Sequence, residues 1–195
     1  MGNPVTPEFR VSYAHFVRPH AIEDGDPLKY SCKIVMDRSN EKHADFVARL
    51  TKLAQKLAKD KFGKLPKKLQ LPFSNGDDSD NPEFEGCTVF NCSKKEEFGQ
   101  PEVVDTNLDP VIDPKEIYSG MFCRVSLSPY CWEYGNKKGV SFGLVNVQKT
   151  RDGDPLGGGG VRADQEFDKW DDDDDDDEFS GSTHVDDDED DDTPF

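Results

Sequence analysis

The sequence predicts a mainly β protein with one inserted helix, an OB-fold-like barrel, followed by a disordered acidic C-terminal tail. Several short segments alternate apolar and polar residues with the period of two that half-buried strands show. One stretch, 41–62, has the helical period instead. The end of the chain is rich in glycine and aspartate and holds too little apolar surface to offset the entropy cost of ordering. We therefore divide the chain into a folded domain, 1–156, and a flexible hinge with a disordered tail, 157–195.

Two strands are predicted first, over 9–18 and 28–36. The alternation assigns to the core Phe9, Val11, Tyr13 and Val17 of the first strand, and Leu28, Tyr30, Cys32, Ile34 and Met36 of the second. It assigns to the outer surface Arg10, Ser12, Phe16, Arg18, Lys29, Ser31, Lys33 and Val35. The outer surface of this strand pair is therefore expected to carry cations beside an aromatic ring.

A helix is predicted over 41–62, with Ser39 or Asn40 as its N-cap. Its buried stripe is expected to consist of Phe46, Leu50, Leu53 and Leu57. The segment 42–68 holds nine Lys+Arg against two Asp+Glu, so the exposed helix faces are basic. Three interpretations of this basic surface stay open: it extends an electrostatic track, it docks a partner, or it keeps the protein soluble.

The remaining strands lie in the second half of the domain. A short strand is predicted around 87–92, and a longer one over 121–128 with Met121, Cys123, Val125 and Leu127 facing the core. The aromatic residues Tyr130, Trp132 and Tyr134 follow. The segment 135–139 then forms a basic hairpin tip that leads into the strand 140–149. Short strands around a single helix favour a small antiparallel barrel, and the OB barrel is the commonest such architecture that binds oligonucleotides.

The sequence carries no enzyme signature. It lacks a phosphate-binding loop with Gly-Lys-Ser/Thr, the zinc-protease His-Glu-x-x-His, the hydrolase Gly-x-Ser-x-Gly and the zinc-deaminase motif. Its five cysteines and four histidines do not have metal-binding spacing. There is neither a long apolar run nor a basic-then-apolar leader. We therefore expect no catalysis, no cofactor, no metal site and no membrane association, and a cytosolic location.

A binding surface is the remaining function of the domain. Binding of single-stranded nucleic acid without sequence preference requires cations for phosphates and aromatic rings on which bases stack. The candidate DNA-binding residues are Arg10, Phe16, Arg18, Lys29, Lys33, Phe122, Arg124, Trp132, Tyr134, Lys137 and Lys138. We favour Trp132 for stacking, because it precedes the basic hairpin. The alternative is a core position for each aromatic residue and a solvated sheet surface for each cation.

The whole formal net charge of −17 lies in the C-terminal part of the chain. Residues 1–150 contain 21 Lys+Arg and 21 Asp+Glu, whereas residues 151–195 contain 3 and 20. A polyaspartate run such as 171–177 imitates the charge of a nucleic-acid backbone. We therefore expect the tail to occupy the basic groove when DNA is absent and to be displaced when DNA binds.

The C-terminal tip consists of Asp190, Asp191, Asp192, Thr193, Pro194 and Phe195. The ring and the α-carboxylate of Phe195 suit a partner pocket with an apolar floor and a basic rim. The tip resembles the C-terminus of bacterial single-stranded-DNA-binding proteins, which ends in aspartates and a short Pro-Phe peptide. This resemblance implies recruitment of replication, recombination or repair proteins. Thr193 departs from the pattern, because the bacterial tip has an aliphatic residue there.

Three segments of the domain carry a second resemblance: Tyr118–Gly120, Gly135–Val140 and Gly143–Gly158. Together they resemble a tailed-phage family first catalogued as a domain of unknown function, of which some members are OB-fold single-stranded-DNA-binding proteins with acidic tails. The resemblance implies this fold and this activity, and it assigns no individual contact residue. Val145 departs from the family, which commonly has a polar residue there.

The sequence therefore predicts a phage protein of the host cytoplasm that coats single-stranded DNA without sequence preference during replication or recombination. Its tip would recruit protein partners. The alternative, from another class, is an acidic interaction protein whose tail mimics DNA and sequesters basic proteins. Annealing of complementary strands remains a third interpretation, and the oligomeric state stays open.

Overall fold

The computed structural model describes residues 2–21 and 23–156. The strands of this part are β1 (Phe9–Arg10), β2 (Ser12–His20), β3 (Lys29–Asp37), β4 (Leu69–Gln70), β5 (Ser74–Asn75), β6 (Cys87–Lys95), β7 (Val103–Val104), β8 (Phe122–Tyr134) and β9 (Lys137–Arg151). Helix α1 (Glu41–Phe62) lies between β3 and β4. The predicted hinge and tail, with the tip residues Asp190, Asp191, Asp192, Pro194 and Phe195, lie outside the described residues.

The five long strands close into a barrel. The sheet has the order β1-β8-β9-β6-β3-β2. Segments β1 and β2 are two parts of one bent strand, and at the bend Val11 donates from its N–H to the carbonyl of Met121 at 3.0 Å. Because β1 pairs with β8 and β2 pairs with β3, this strand joins the two ends of the order. β6 runs parallel to β9, whereas the other long pairs are antiparallel. This is the OB barrel that the sequence predicts.

The barrel interior is filled by inward side chains from every long strand. Its largest fully buried members include Phe9, Phe16, Ile34, Met121, Leu127 and Phe142. Helix α1 adds Phe46 and Leu50 to the same core. Burying a side chain of this size contributes on the order of 1.5–3 kcal/mol, so the interior stabilises the strand order on which the outer surface depends.

Helix α1 has the bounds that the sequence predicts. The side chain of Asn40 accepts a hydrogen bond from the N–H of Lys42 at 3.0 Å, and Gly63 ends the helix with a φ of 75°. The predicted stripe is only partly right, because Leu53 and Leu57 are half-buried. The helix instead packs Ala54 and Ala58 against Val140 of β9. Small side chains let it approach this strand closely.

Strand β2 contains a bulge that overturns part of the predicted alternation. The pairing with β3 changes register between Ser12 and His15, and Tyr13 has a φ of 51°. The irregularity reverses the faces of Tyr13 and Phe16, and a second register shift follows between His15 and His20. Tyr13, predicted inward, is 54% exposed. Phe16, a candidate DNA-binding residue predicted to face outward, is fully buried, so its predicted orientation is wrong and the proposed DNA-binding face does not include it.

The other strand predictions are confirmed, with one exception. Alternate residues of β3 from Tyr30 to Met36 are buried, and so are those of β8 from Cys123 to Leu127. Leu28 was assigned to the core but precedes β3 and is exposed. The basic hairpin tip is a two-residue turn between β8 and β9, in which Gly135 has a φ of 56°.

The bulge predicts unequal effects for two aromatic truncations on the same strand. Phe16→Ala should lower the free energy of unfolding by about 3–5 kcal/mol, because it opens a cavity in the barrel. Tyr13→Ala should change it by about 0.5 kcal/mol or less, because the ring is mostly in solvent. Urea denaturation of the full chain measures both. A larger loss for Tyr13→Ala than for Phe16→Ala would contradict the observed register.

Candidate nucleic-acid interface

The outer surface of β2, β3 and β6 is the candidate interface, and we call it the β2–β3–β6 face. The outward residues of β3 lie opposite those of β6 in register: Lys33 faces Asn91, Ser31 faces Ser93 and Lys29 faces Lys95. With Tyr13, His15 and His20 of β2, most of these residues line a cavity of about 340 Å³. Counted with β1 and β2 as one strand, β3 and β6 are the second and third strands of the barrel. OB folds bind oligonucleotides with the outer surface of these two strands.

Tyr13 and Lys33 form the centre of this face. The bulge turns the Tyr13 ring outward, and the Nζ atom of Lys33 lies 5.5 Å from the ring centroid. This distance is within the range of a cation–π interaction. Neither Lys33 nor Lys29 forms an ion pair with another described residue. Their charges are therefore not neutralised within the described part of the domain.

Two histidines lie on the same face. The rings of His15 and His20 are stacked, with centroids 4.7 Å apart and an angle of 17° between their planes. Burial lowers the pKa of His15 below its usual value, and the nearby His20 lowers it further. A neutral ring at position 15 is therefore favoured at neutral pH in the protein alone.

The edge of the face beyond β6 exposes a further aromatic ring. Phe98 lies in a short 3-10 turn after β6 and is 66% exposed. The backbone N–H of Glu96 donates to the carbonyl of Leu28 at 3.1 Å, which holds this turn beside the start of β3. The Nζ atom of Lys95 lies 6.0 Å from the Phe98 centroid. A second aromatic ring with a cation thus lies at this end of the face.

The other end of the face is covered by the connection between β5 and β6. Phe84 of this connection is buried against Val35 and Val89, which are otherwise outward residues of β3 and β6. Arg38 forms an ion pair with Asp77 and also donates to the carbonyl of Gly86 at 3.0 Å. This acidic connection limits the face to the half of β3 that precedes Val35.

Three predicted residues lie together on the β1–β8–β9 side of the barrel, where they bind other parts of the chain. Arg10 donates to the carbonyl of Asp154 at 2.7 Å, and Arg124 donates to the carbonyl of Thr6 at 3.2 Å. The guanidinium carbon of Arg151 lies 3.3 Å from the ring centroid of Phe122. Their role in DNA binding stays a prediction.

The hairpin residues divide into packed and exposed members. Trp132 is half-buried against Gly139, and its indole N–H donates to Ser141 at 3.0 Å. Lys138 pairs with Glu133 at 3.2 Å and lies over the ring of Phe62. By contrast Tyr134 is 83% exposed and Lys137 is exposed. The favoured stacking residue, Trp132, thus has a structural role in the hairpin.

The structure brings together only part of the predicted set and adds residues that the alternation missed. Lys29 and Lys33 share the face, and Arg18 lies exposed on β2 beside it. Tyr13, His15, His20 and Phe98 were not predicted. Proximity in sequence to basic residues was a usable signal for Phe98, which follows Lys94 and Lys95. The bulge that exposes Tyr13 had no sequence signal in the period-two pattern.

No group of three or more metal-binding side chains occurs among the described residues. Within the same part of the chain, no helix is long and apolar enough to cross a membrane.

The thiols of Cys32 and Cys92 face each other inside the barrel with their sulfurs 3.4 Å apart, and burial raises the pKa of Cys32.

The closed barrel with its inserted helix is an OB fold, an architecture that commonly binds oligonucleotides. A family model described as "Enterobacter phage Enc34, ssDNA-binding protein" matches residues 3–179. The chain therefore belongs to this phage family, which confirms the resemblance to a tailed-phage family that the segments between Tyr118 and Gly158 carry.

The chain is similar to phage proteins of known sequence and structure. The chain is 35% identical over 95 residues to protein p50 of Acyrthosiphon pisum secondary endosymbiont phage 1; the match spans 48% of this chain and 50% of p50, about half the length of that curated relative. The structure of the bacteriophage Enc34 single-stranded DNA-binding protein in complex with ssDNA is similar, with a TM-score of 0.69, 24% identity, and coverage of 80% of this chain and 90% of that one.

A second phage protein has a similar fold. Gp2.5, a single-stranded DNA-binding protein encoded by bacteriophage T7, matches with a TM-score of 0.54 and 19% identity, covering 93% of this chain and 97% of its own. At these identities the two structural similarities show the fold alone. The assignment of residues to the β2–β3–β6 face rests on the contacts within this chain.

Proposed function

We propose that this protein binds single-stranded DNA without sequence preference on the β2–β3–β6 face. The observation that carries the proposal is the exposed Tyr13 ring beside Lys33. Lys33 lies on β3, which with β6 forms the strand 2–3 surface that OB folds use, and Tyr13 borders that surface from β2. A positive φ at a tyrosine costs on the order of 1–3 kcal/mol, and such strain collects at functional sites. The phage relatives that share this fold are described as single-stranded DNA-binding proteins.

The physical basis is a combination of stacking and charge. Each base that stacks on an aromatic ring contributes about 1–3 kcal/mol, and a π-face is common to all four bases. Tyr13 and Phe98 supply two such rings on one face. Lys29 and Lys33 lie on β3 without an ion pair to a described residue and would neutralise phosphates between the stacked bases. Lys95, opposite Lys29, already pairs with Glu97 at 3.0 Å. Binding of this kind reads little sequence and weakens steeply with salt.

The proposed DNA-binding surface also includes the hairpin between β8 and β9. OB folds bind oligonucleotides with the loop between their fourth and fifth strands as well as with the strand 2–3 surface. In this chain that loop joins β8 to β9 and carries Tyr134 and Lys137, both exposed. We assign the role of additional stacking ring to Tyr134 in place of Trp132.

In the phage, we place this activity in DNA replication or recombination, where exposed single strands need to be coated. The acidic segment 157–195 would compete with DNA for the face, because it carries the formal charge that the folded domain lacks. Phe195 and the aspartates before it would recruit protein partners once DNA displaces the segment. Both parts of this proposal rest on the sequence.

Substitutions on the face provide the direct test of DNA binding. Tyr13→Ala in the full chain should weaken binding of a fluorescent oligo-dT of about 30 nucleotides by about 5- to 100-fold, from the loss of one stack. Lys33→Gln should reduce the salt slope of log K by about 0.7, the value for one phosphate on a single strand. Fluorescence anisotropy at two or more salt concentrations measures both effects.

The matched controls are Leu65→Ala, an exposed apolar residue after α1, and Arg49→Gln, a cation already paired with Asp45 on the helix. Both should bind nearly as the wild type does. If the wild type fails to bind oligo-dT at low salt, the proposal is overturned. The acidic-mimic alternative, in which only the tail has a partner, would then take its place.

The tail is tested without shortening the chain. Changing Asp171–Asp177 to asparagine removes seven charges at constant length. If the segment competes with DNA, this variant should bind oligo-dT more tightly than the wild type at low salt, with a smaller difference at high salt. Equal affinities at low salt would refute competition.

Deletion of Phe195 alone should leave DNA affinity unchanged while removing proteins that co-purify from infected cells. An unchanged set of co-purifying proteins would refute recruitment by the tip.

A further inference from the structure

The stacked imidazoles of His15 and His20 lie at a position that the coating function alone does not explain. Both are on β2, and both line the cavity of the β2–β3–β6 face. His15 also borders a second cavity, of about 320 Å³, on the opposite side of the same strand. Both rings thus border the face where we place DNA, and His15 also borders a neighbouring cavity.

The groups that face the pair are mostly basic. In the first cavity β3 contributes Lys29 and Lys33, β2 contributes Tyr13, and the connection between β2 and β3 contributes Asp26. In the second cavity β2 contributes Arg18 and the turn before β8 contributes Lys115. β6 contributes only the uncharged Asn91 and Ser93. These two cavities thus hold four cations and one carboxylate beside the pair, so the surface around it is mostly basic.

A phosphate group would reverse these electrostatics. Imidazolium N–H groups donate strong, charge-assisted hydrogen bonds to anionic oxygens, whereas a neutral imidazole offers one N–H and no charge. An unperturbed histidine titrates near pH 6.5, so a nearby anion is enough to move its protonation into the neutral range.

We propose that the His15–His20 pair is a phosphodiester contact that takes up a proton when single-stranded DNA binds, so that affinity increases as pH falls. This inference rests on the proposed DNA-binding face and assigns to the pair a ligand class, the backbone phosphate, distinct from the bases that stack on Tyr13. It also makes the affinity depend on pH in a range where the lysines and arginines of the face keep their charge.

The sign of the dependence follows from linkage. Burial and His20 lower the pKa of His15 in the protein alone, and a bound phosphate raises it. Between these two pKa values the complex holds more protons than the free protein. Affinity therefore rises as pH falls through this window, by at most about tenfold per pH unit for one proton. The dependence on pH disappears below the pKa that His15 has in the free protein.

The experiment measures oligo-dT affinity of the full chain from pH 5.5 to 8.0 at constant ionic strength, with an oligonucleotide that lacks terminal phosphates. We expect the wild type to bind about three- to tenfold more tightly at pH 5.5 than at pH 7.5. The double variant His15→Gln, His20→Gln should lose most of this difference. Arg49→Gln, a cation paired with Asp45 on α1, is the control and should keep it.

A second measurement does not depend on a variant. The pKa of His15, followed by the NMR shifts of its ring in the wild type, should rise when oligo-dT is added. An unchanged pKa, or equal pH slopes for the wild type and the double variant, would overturn the inference while leaving DNA binding in place. Failure of the wild type to bind at every pH would instead refute the proposed function from which the inference starts.

Discussion

The bulge in β2 is the constraint on which the interface depends. One register change between Ser12 and His15 sends Phe16 into the barrel and turns Tyr13 outward. Without it, the period-two pattern would bury the tyrosine and expose the phenylalanine. The core would then lose one of its largest side chains, and the face would lose the ring that lies beside Lys33. Stability and binding thus rest on the same irregularity.

Charge is distributed so that the face stays basic although the protein is strongly acidic. The domain is balanced overall, and its acidic loop between β5 and β6 is fixed at one end of the face by Phe84 and by the Arg38–Asp77 ion pair. Cations elsewhere are used internally: Arg10 and Arg124 bind backbone carbonyls. Lys29 and Lys33 differ, since both line the cavity and neither forms an ion pair with a described residue.

The sequence is enough to predict the barrel, the helix bounds and the inward faces of β3 and β8. Those elements obey regular periods, and Asn40 and Gly63 mark the helix ends with standard capping chemistry. The interface is predicted only in part. Lys29 and Lys33 follow the period of two, whereas the exposure of Tyr13 depends on a bulge that this period does not reveal. The roles of Trp132 and Phe122 also depend on cross-strand contacts, with Gly139 and Arg151 of β9, that are visible only in the folded chain.

Ultraviolet cross-linking of oligo-dT to the full chain, followed by mass spectrometry of the attached peptides, tests the location of the interface most directly. Our account predicts that the main cross-links fall on β2 and β3, with Tyr13 carrying the largest share and the turn at Phe98 a smaller one. Cross-links confined to the outer surface of β8 around Phe122 and Arg124, with none on β2 or β3, would contradict it.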